Sequence, residues 1–395
     1  MEKEKLVPVI RFKGFDEEWK RAIFSDFIDY ERPDKYIEKL PLLEFGQIPV
    51  LTANKSFKLG YTESQNYYAK GDCILFDDFT LDSKYVNFPF MVVSSALKIL
   101  SLKNSQDSLP YYFAILKNNT FESQGHARHY ISIVAKTPIK ISDNIEERNL
   151  IGSFFTYMNM LICYQESKLE KLQTIKQSLL DKMFAFYDQK VPEIRFKGFK
   201  NNWKNKEIDS FGDWLAGTSL ENQFCTNGTH KVVNIGSFSL DFKYNDQGLR
   251  INLNNENKRF LLDKDDLVMI LNDKTLEGRI IGSALLIDKD NTYLYNQRIQ
   301  RLSINKTQYD SNYLFFLINN MRNHDILYKK AQGNTQIYLN WSVVSKINLP
   351  VSEQLDEQQK IGQFFSNLDS LIYSQEQKLE KLNNIKQALL EKMFC

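Results

Sequence analysis

Two stretches of the chain carry hydrophobic residues at the three-and-four spacing that places them on one face of an α-helix. They span 151–184 and 361–394, contain no proline, and have glycine only near their beginnings. The hydrophobic positions are Phe154, Phe155, Met158, Leu161, Ile162, Leu169, Leu172, Ile175, Leu179 and Met183 in the first stretch, and Phe364, Phe365, Leu368, Leu371, Ile372, Leu379, Leu382, Ile385, Leu389 and Met393 in the second. The pattern predicts two long helices, each about 50 Å long at roughly 1.5 Å per residue.

The two stretches are copies of one another, with 21 of 34 positions identical and no gap. A shorter repeat accompanies them: VPVIRFKGFDEEWK at Val7–Lys20 and VPEIRFKGFKNNWK at Val191–Lys204 agree at 10 of 14 positions. The period is near 200 residues, far longer than the roughly 20 to 50 residues of a solenoid repeat. The chain is therefore a duplicated half-protein, with dissimilar inserts at about 21–141 and 205–351.

The hydrophobic stripes of the two helices are expected to cover each other, because a helix this long needs a comparably long partner. An antiparallel coiled coil is favoured, since each insert then lies near its own end of the pair. This pseudo-twofold, near-circular arrangement puts Val7–Lys20 beside the end of the second helix. Two polar pairs, Gln165 with Lys168 and Gln375 with Lys378, interrupt the stripes. They either fix the register, as polar core residues do in coiled coils, or lie at a solvated edge.

The inserts have the alternating patterns and turn residues of mixed α/β domains. Strands are predicted in FGQIPVLTANKSFKLGYTES, AKGDCILFDDFT and FPFMVVSSALKIL of the first insert, and in THKVVNIGSFSLDFKY, DKDDLVMILND, GRIIGSALLI and TYLYNQRIQRLSI of the second. Helices are predicted at Pro110–Lys117 and Ser311–Asn323. The inserts end alike, in GHARHYISI at Gly125–Ile133 and GNTQIYLNW at Gly333–Trp341, where a tyrosine leads into an apolar strand. We therefore expect homologous domains with different surfaces.

Composition adds little to this picture. The chain has 395 residues, 43% of them hydrophobic, and a formal net charge of +2, which neither indicates nor excludes nucleic-acid binding. No stretch approaches 18 apolar residues, and the N-terminal sequence lacks the apolar region of a signal peptide, so a cytoplasmic location is expected. The four cysteines are far apart and form no Cys-x-x-Cys pair; we interpret them as reduced packing residues.

Together these motifs resemble the DNA-specificity subunit of type I restriction-modification systems. The resemblance rests on VPxIRFKGF before each insert, the GNTQIYLNW ending and the two IGxFF…QExKLEKLxxIKQ…LLxKMF helices, and it covers essentially the whole chain. It implies two target recognition domains, at 1–140 and 191–350, each followed by a helical spacer, at 141–190 and 351–395. It also implies double-stranded DNA, two methyltransferase subunits and restriction or translocase subunits as partners.

The resemblance further implies that this chain is not an enzyme, and that S-adenosylmethionine, ATP and magnesium serve only the partner subunits. The sequence agrees: no proline has a proline neighbour, as the Pro-Pro of an amino-methyltransferase motif would require, and no G-x-x-x-x-G-K-[ST] phosphate loop is present. His126 and His129 have a spacing seen in metal sites but lack a nearby cysteine or convincing carboxylate partner. Acidic pairs such as Asp77 and Asp78 are more typical of strand ends and turns than of a nuclease centre.

Two recognition domains about 50 Å apart would reach half-sites roughly one helical turn or slightly more apart on one DNA face. The expected target is therefore bipartite, and asymmetric because the inserts differ. The candidate DNA-binding side chains are basic, amide, hydroxyl or aromatic residues in predicted loops: Asn54, Lys55, Lys58, Tyr61, Gln124, His126 and Arg128 in the first insert, and His230, Lys231, Asn234, Ser237, Gln297, Arg298, Asn334 and Gln336 in the second. For each, an ordinary solvated loop residue is the alternative.

The hydrophobic helix positions are expected to form the interface between the helices, and those left uncovered, including some of Phe154, Phe155, Phe364 and Phe365, to bind partner subunits. The rival hypothesis is a coiled-coil scaffold whose inserts bind peptides or proteins. Salt separates the two functions, because specific DNA binding weakens steeply as counterions are added.

Overall fold

The computed structural model describes residues 6–39, 41–52, 56–121, 129–186 and 189–394. The chain divides into two compact units: a first unit of Met1–Ser167 with Glu376–Cys395, and a second unit of Lys168–Gln375. Each unit contains one insert and one part of each long helix.

Among the described residues, the first unit contains three sheets, two short helices and part of each long helix. The strands are β1 (Lys20–Ile23), β2 (Ile28–Glu31), β3 (Ile48–Leu51), β4 (Lys58–Thr62), β5 (Cys73–Asp77), β6 (Ser83–Val86), β7 (Met91–Val92), β8 (Leu97–Leu102) and β9 (Pro138–Ile141). The helices are α1 (Leu109–Asn118), α2 (His129–Ser132) and the beginning of α3 (Ile145–Met183). Strand β1 pairs with β9, the four-stranded sheet has the order β2-β8-β5-β6, and the third sheet has the order β4-β3-β7, in which β3 and β7 are parallel.

The second unit repeats this plan. Its strands are β10 (Lys204–Glu207), β11 (Gly212–Ala216), β12 (His230–Val233), β13 (Arg250–Ile251), β14 (Leu267–Ile270), β15 (Asn272–Asp273), β16 (Ala284–Leu286), β17 (Tyr293–Tyr295), β18 (Ile299–Ile304), β19 (Ile337–Tyr338) and β20 (Asn348–Val351). Its helices are α4 (Ser311–Ile318), α5 (Met321–Tyr328), α6 (Trp341–Val344) and the beginning of α7 (Leu355–Met393). The sheets are β10-β20, β11-β18-β14-β16 and β13-β12-β17, with β12 parallel to β17, plus the pair β15-β19. The shared topology confirms that the inserts are homologous mixed α/β domains.

The long helices run antiparallel, as predicted. In the first unit the ring of Phe155, near the beginning of α3, stacks on Phe394 just beyond the end of α7, with centroids 5.9 Å apart. In the second unit Phe184, just beyond the end of α3, stacks on Phe365 near the beginning of α7, also at 5.9 Å. Both contacts lie in hydrophobic cores that include the adjoining insert. Each unit thus joins its insert to a helix pair.

The short repeats attach to the same helix ends. Ile10 donates its backbone N–H to the carbonyl of Lys392 at 2.9 Å, and Ile194 donates to that of Lys182 at 2.9 Å. The short motif therefore lies beside the end of a long helix in each unit, as expected. Its role in both places is structural.

A glycine near the beginning of each long helix permits close packing of a helix of the insert. A Cβ on Gly152 would lie 2.0 Å from Oγ of Ser108, and one on Gly362 would lie 2.5 Å from Oδ1 of Asp310. Ser108 and Asp310 cap α1 and α4 by accepting the backbone N–H three residues later. The glycine of the long helix therefore packs against the capped end of α1 in the first unit and of α4 in the second, in the same way.

Several predicted details of the helices differ from the structure. Both long helices have 39 residues and begin six residues earlier than the repeat. Ile175, Leu371 and Ile385 are 50%, 48% and 40% exposed, so these three expected interface positions lie largely outside the buried stripe. The stripe instead includes Gln165 and Gln375, which are 3% and 5% exposed. The neighbouring Lys168 and Lys378 are exposed. The glutamines are therefore the buried polar positions and the lysines lie at the solvated edge.

Three further expectations were wrong. The helix predicted at Ser311–Asn323 is two helices, because the side chain of Asn320 caps α5 by accepting the N–H of Arg322. The apolar strand predicted after Gly125 is the short helix α2. The interpretation of the cysteines as packing residues holds for Cys73, which is buried, and is wrong for Cys163 and Cys225, which are exposed; Cys395 lies outside the described residues. No helix in the described ranges is long and apolar enough to cross a membrane.

Candidate nucleic-acid interface

In the second unit, polar side chains follow the carboxyl ends of two parallel strands. Asn234 comes directly after β12, and Asn296 and Gln297 come directly after β17. The strands pair in register, with Val233 opposite Tyr295, and the N–H of Asn296 donates to the carbonyl of Val233 at 2.9 Å. Because both strands end at the same edge, the sheet brings together the candidates Asn234 and Gln297 with Asn296, which was not a candidate.

Arg298 extends this edge toward the end of the insert. Its backbone φ is +68°, in the left-handed region that residues other than glycine rarely adopt. Its guanidinium Nη1 lies 3.5 Å from Oε1 of Gln336. Arg298, Asn334 and Gln336 are all exposed. A strained, exposed arginine beside exposed amides is an arrangement typical of a recognition loop rather than of a packing site.

The backbone explains why these distant segments meet. The carbonyl of Arg298 accepts the N–H of Leu271 at 2.9 Å, and the carbonyl of Leu271 accepts the N–H of Leu339 at 2.8 Å. The turn before β18 and the segment around β19 therefore lie on either side of residue 271. We call the exposed surface formed by Asn234, Gln297, Arg298, Asn334 and Gln336 the amide-arginine surface.

One carboxylate lies in this surface. Glu221 accepts hydrogen bonds from Nδ2 of Asn296 at 2.8 Å and Nε2 of Gln297 at 2.9 Å, and also from the hydroxyl of Ser219. The hydrogen bonds from Ser219 and Asn296, with that from Gln297, lower the pKa of Glu221 to about 2. Glu221 is therefore an anion at neutral pH, and it holds Gln297 in one orientation.

Exposed aromatic side chains that were not among the candidates accompany this surface. Trp214 on β11 is 51% exposed and its ring lies 5.7 Å from that of Trp341, while Tyr338 on β19 is 41% exposed. In the first unit, Tyr30 is 40% exposed and stands on β2 at the register that Trp214 has on β11. The GNTQIYLNW ending contains Tyr338 and Trp341, and this was the available signal for them.

The structure does not bring all the second-insert candidates together. His230 and Lys231 are at the beginning of β12, the end opposite Asn234. Lys231 forms an ion pair with Asp246 at 3.0 Å, and hydrogen bonds from Arg250 and then Lys231 lower the pKa of that carboxyl. Lys231 thus shares one carboxylate with Arg250 inside the domain.

Ser237 is fully buried, and its hydroxyl donates to the carbonyl of Val232 at 3.4 Å. Its backbone N–H donates to Oδ1 of Asn234. Ser237 is therefore a capping residue with no exposed atom to offer DNA, and we remove it from the candidates. Asn234 stays partly exposed while it caps this turn.

In the first unit the corresponding edge is only partly described. Thr52 follows β3 as Asn234 follows β12, and the candidates Asn54, Lys55, Gln124, His126 and Arg128 lie outside the described residues. Lys58 is exposed, and its Nζ lies 2.7 Å from the hydroxyl of Tyr61 and 4.7 Å from the centre of that ring. Lys58 and Tyr61 therefore form one basic-aromatic pair on β4.

His129, in the turn that was expected to face DNA, is fully buried. Its Nδ1 contacts the carbonyl oxygen of Asp78, and the carboxylate of Asp78 forms an ion pair with Nζ of Lys98 at 3.0 Å. Asp77 accepts the N–H of Phe79 in the same turn. These acidic and imidazole groups are used inside the fold, and within the described ranges no group of three potential metal ligands occurs.

Comparison with known proteins shows what the chain is similar to. Residues 200–384 match the family model for the type I restriction modification DNA specificity domain. The chain is 31% identical over 228 residues to the EcoR124I/EcoR124II specificity subunit of Escherichia coli, covering 55% of this chain and 54% of that protein. It is 23% identical over 394 residues to the MjaVIII specificity subunit of Methanocaldococcus jannaschii, covering 95% and 91%. The alignment thus spans about half of the first relative and nine tenths of the second.

Two solved structures share the fold. The S subunit of a type I restriction-modification system from M. genitalium superposes with a TM-score of 0.69 at 13% identity, covering 98% of this chain and 99% of that one. A chain from a study of complex assembly and conformational transition of the type I R-M system gives a TM-score of 0.51 at 11% identity, covering 95% and 97%.

Duplicated mixed α/β domains joined to a pair of long helices are the fold that this chain shares with the solved S subunit. Residues 200–384 match the type I restriction modification DNA specificity domain, and along nearly its whole length the chain has the fold of a solved type I S subunit. These similarities are to the same family that the repeated motifs resemble.

Proposed function

We propose that this chain recognises a bipartite, asymmetric DNA target, one half with each unit, and recruits methyltransferase and restriction subunits to it. S-adenosylmethionine, ATP and magnesium would act in those subunits. The observation that carries the proposal is a repeated frame with different side chains at equivalent places.

The clearest example is the residue that precedes the strand lying second in the spatial order of each four-stranded sheet, which is β8 in the first unit and β18 in the second. Strand β18 is preceded by Arg298, whereas the equivalent strand β8 is preceded by Ala96. The residue that follows the central parallel strand is Asn234 in the second unit and Thr52 in the first. Since base edges are distinguished by the donors and acceptors presented to them, the two units would prefer different base pairs. Different half-sites make the target asymmetric.

The chemistry of the amide-arginine surface suits a major groove. An arginine donates two hydrogen bonds to O6 and N7 of guanine, and an asparagine or glutamine pairs with N6 and N7 of adenine. Arg298 would take the first role and Gln336 or Asn234 the second. The exposed rings of Trp214 and Tyr338 offer apolar contacts to thymine methyl groups or sugars.

Recruitment of partners is supported by hydrophobic residues left exposed on the long helices. Phe155 and Phe365, which were considered for this role, are not among them, because both are buried. Tyr157 and Met160 on α3 are each 66% exposed, and Leu371 and Tyr373 on α7 are 48% and 53% exposed. Exposed apolar patches on an otherwise well-packed protein commonly mark partner sites. We propose that methyltransferase subunits cover these helix faces.

Mapping methylated bases across the genome in cells with and without this chain tests the function. A split motif that disappears on deletion and returns on re-expression is expected. Re-expression of the Arg298→Ala variant should restore methylation with relaxed sequence at one half of the motif only, whereas Lys381→Ala, on an exposed helix position, should restore the original motif. An unchanged methylome would refute the proposal.

A scaffold without DNA binding is distinguished by salt dependence in vitro. The logarithm of the DNA association constant should fall steeply and linearly with the logarithm of salt concentration between about 50 and 200 mM, because DNA binding releases counterions. A protein scaffold would form its complexes with little change over this range and would show no preference among DNA sequences.

A further inference from the structure

A cavity of about 520 Å³ lies in the first unit between α1, β6 and the helix pair. Its walls are largely apolar and include Phe57, Tyr85, Phe113 and Met160. Two lysines, Lys117 and Lys386, also line it. None of these residues is among those proposed to contact DNA, although Met160, at the rim, is one of the exposed helix residues proposed to meet a methyltransferase subunit. A cavity of this size and composition matches the usual range of ligand sites.

The carboxylate of Glu166 is near enough to interact with the charge of Lys386, but the two do not form an ion pair. Within the described part of the chain, no carboxylate oxygen lies within 4.0 Å of its Nζ, although the side chain is partly buried. Lys117, by contrast, is paired with Asp82 at 2.7 Å. Burial, and then the nearby charge of Lys117, lower the pKa of Lys386. A partly buried ammonium without an ion-pair partner is costly to keep, and an incoming anion relieves that cost.

The second unit contains an equivalent lysine that does have a carboxylate partner. The equivalent of Lys386 in the second unit is Lys176, whose Nζ forms an ion pair with Asp369 at 2.5 Å and lies 5.8 Å from the centre of the Phe316 ring. A cavity of about 440 Å³ adjoins that pair. The internal carboxylate therefore satisfies the lysine there.

In the first unit both neighbours are replaced. The position of Asp369 is occupied by Asn159, and that of Phe316 by Ala114; both residues line the cavity. The first substitution removes the carboxylate, and the second removes a ring beside the lysine. The two changes together leave space and positive charge in one place.

From this geometry we propose that the first-unit cavity binds a carboxylate carried on an apolar body, with the carboxylate paired to Lys386. The apolar body would pack against Phe113 and Tyr85. Two sources have this chemistry: a small free aromatic or branched carboxylic acid, and an acidic side chain flanked by apolar residues on a partner subunit. The second source rests on the proposed function, and the cavity itself does not.

The direct test titrates the full chain with 3-phenylpropionate and with its neutral isostere, 3-phenylpropanamide, by calorimetry or NMR. Saturable binding of the acid at one site, with the amide about ten-fold weaker, is expected for loss of a charge-assisted hydrogen bond. Lys386→Met should weaken acid binding by a similar factor, whereas Lys381→Met, on an exposed position of the same helix, should not.

Variants copied from the second unit keep the test independent of misfolding. Asn159→Asp supplies the internal carboxylate, and Ala114→Phe fills the cavity; each residue is already tolerated in the equivalent place. Either variant should abolish acid binding while the melting temperature stays unchanged or rises. Equal binding of acid and amide to the wild-type chain, or unaltered acid binding by Asn159→Asp, would overturn the proposal.

A second titration distinguishes the two sources. If the chain bound to a methyltransferase subunit no longer binds 3-phenylpropionate, an acidic side chain of that subunit occupies the cavity. If binding persists, a free carboxylate is the ligand. Failure of the subunits to associate would count against the proposed function and leave the result of the direct titration standing.

Discussion

Arg195 and Glu357 are separated by 162 positions in the sequence and form a two-pronged ion pair, with Nε–Oε1 at 2.5 Å and Nη2–Oε2 at 2.8 Å. Trp203 donates its indole N–H to the same carboxylate at 3.1 Å. Arg11, Glu147 and Trp19 make the same set of bonds in the first unit. Both glutamates are fully buried, so the short motif anchors the first turn of a long helix in each unit.

We expect Arg195→Ala to destabilise the second unit by about 3–5 kcal/mol, because it leaves the buried carboxylate of Glu357 without its cation. Denaturant unfolding monitored by tryptophan fluorescence measures the change. The double variant Arg195→Met with Glu357→Met should be less destabilised than Arg195→Ala, since no buried charge remains. If Arg195→Ala unfolds like the wild type, the ion pair is not what anchors the helix.

Gly362→Ala should also destabilise the chain, by about 1–3 kcal/mol, the usual cost of overpacking. The added methyl would lie 2.5 Å from Oδ1 of Asp310 and 2.8 Å from the backbone nitrogen of Tyr313. These atoms belong to the cap of α4, so they cannot move away without breaking the capping hydrogen bond. Gln363→Ala at the adjacent exposed position is the matched control, and it should be neutral or slightly stabilising because alanine favours helix. Equal melting temperatures for the two variants would contradict the packing argument.

The helix pair could be predicted from sequence because the hydrophobic pattern of a long helix occurs twice in the chain. A hydrophobic stripe of 34 residues that recurs in the same chain has few ways to be covered other than by its copy. The first turn of each helix was missed because it lies outside the ungapped repeat, although Glu147 and Glu357 are already equivalent there. The partners of those glutamates, Arg11 and Arg195, are more than a hundred positions away, and a hydrophobic pattern carries no information about such a pair.

The candidate interface could be predicted only in part. Gln297, Arg298 and Gln336 come together because strand pairing places their loops side by side, and exposed polar loop residues were a sound signal for them. The same signal selected Ser237, because a hydroxyl that caps a turn and one that faces DNA are indistinguishable in sequence. Trp214 was missed because an aromatic residue on a strand is usually a core residue.

The cysteines should differ in reactivity in the native protein. Burial, and then the charge of Asp72, raise the pKa of Cys73 to about 12, so its thiol stays protonated at pH 8. Cys163 and Cys225 are exposed. A disulfide reagent such as DTNB at pH 8 should label both exposed cysteines rapidly, and Cys73 only after denaturant is added. Peptide mapping of the labelled sites is the measurement, and rapid labelling of Cys73 would show that its strand opens in the native state.

Arg298→Ala should cost about 1–3 kcal/mol of affinity for the cognate DNA and relax specificity at one base pair, as expected for loss of a bidentate contact. Arg298→Lys should not restore it, since a lysine lacks the planar fork. Competition binding against single-base variants of the mapped motif measures both effects. A uniform loss across all sequences would instead assign Arg298 to a phosphate, and no loss would remove it from the interface.

Glu221 should oppose DNA binding at the amide-arginine surface. Its folded pKa of about 2 is below the ordinary value of 4.5, so the carboxylate is charged at every pH used for binding. Glu221→Gln should raise affinity by about five-fold at low salt, the scale of one exposed charge interaction of roughly 1 kcal/mol. Sequence discrimination should stay the same, because the side-chain oxygen of a glutamine can still accept the hydrogen bond from Gln297. Glu391→Gln on an exposed position of α7 is the charge-matched control. Fluorescence anisotropy over a salt series measures the change; equal gains for the two variants would mean that only net charge matters and that Glu221 does not lie at the DNA.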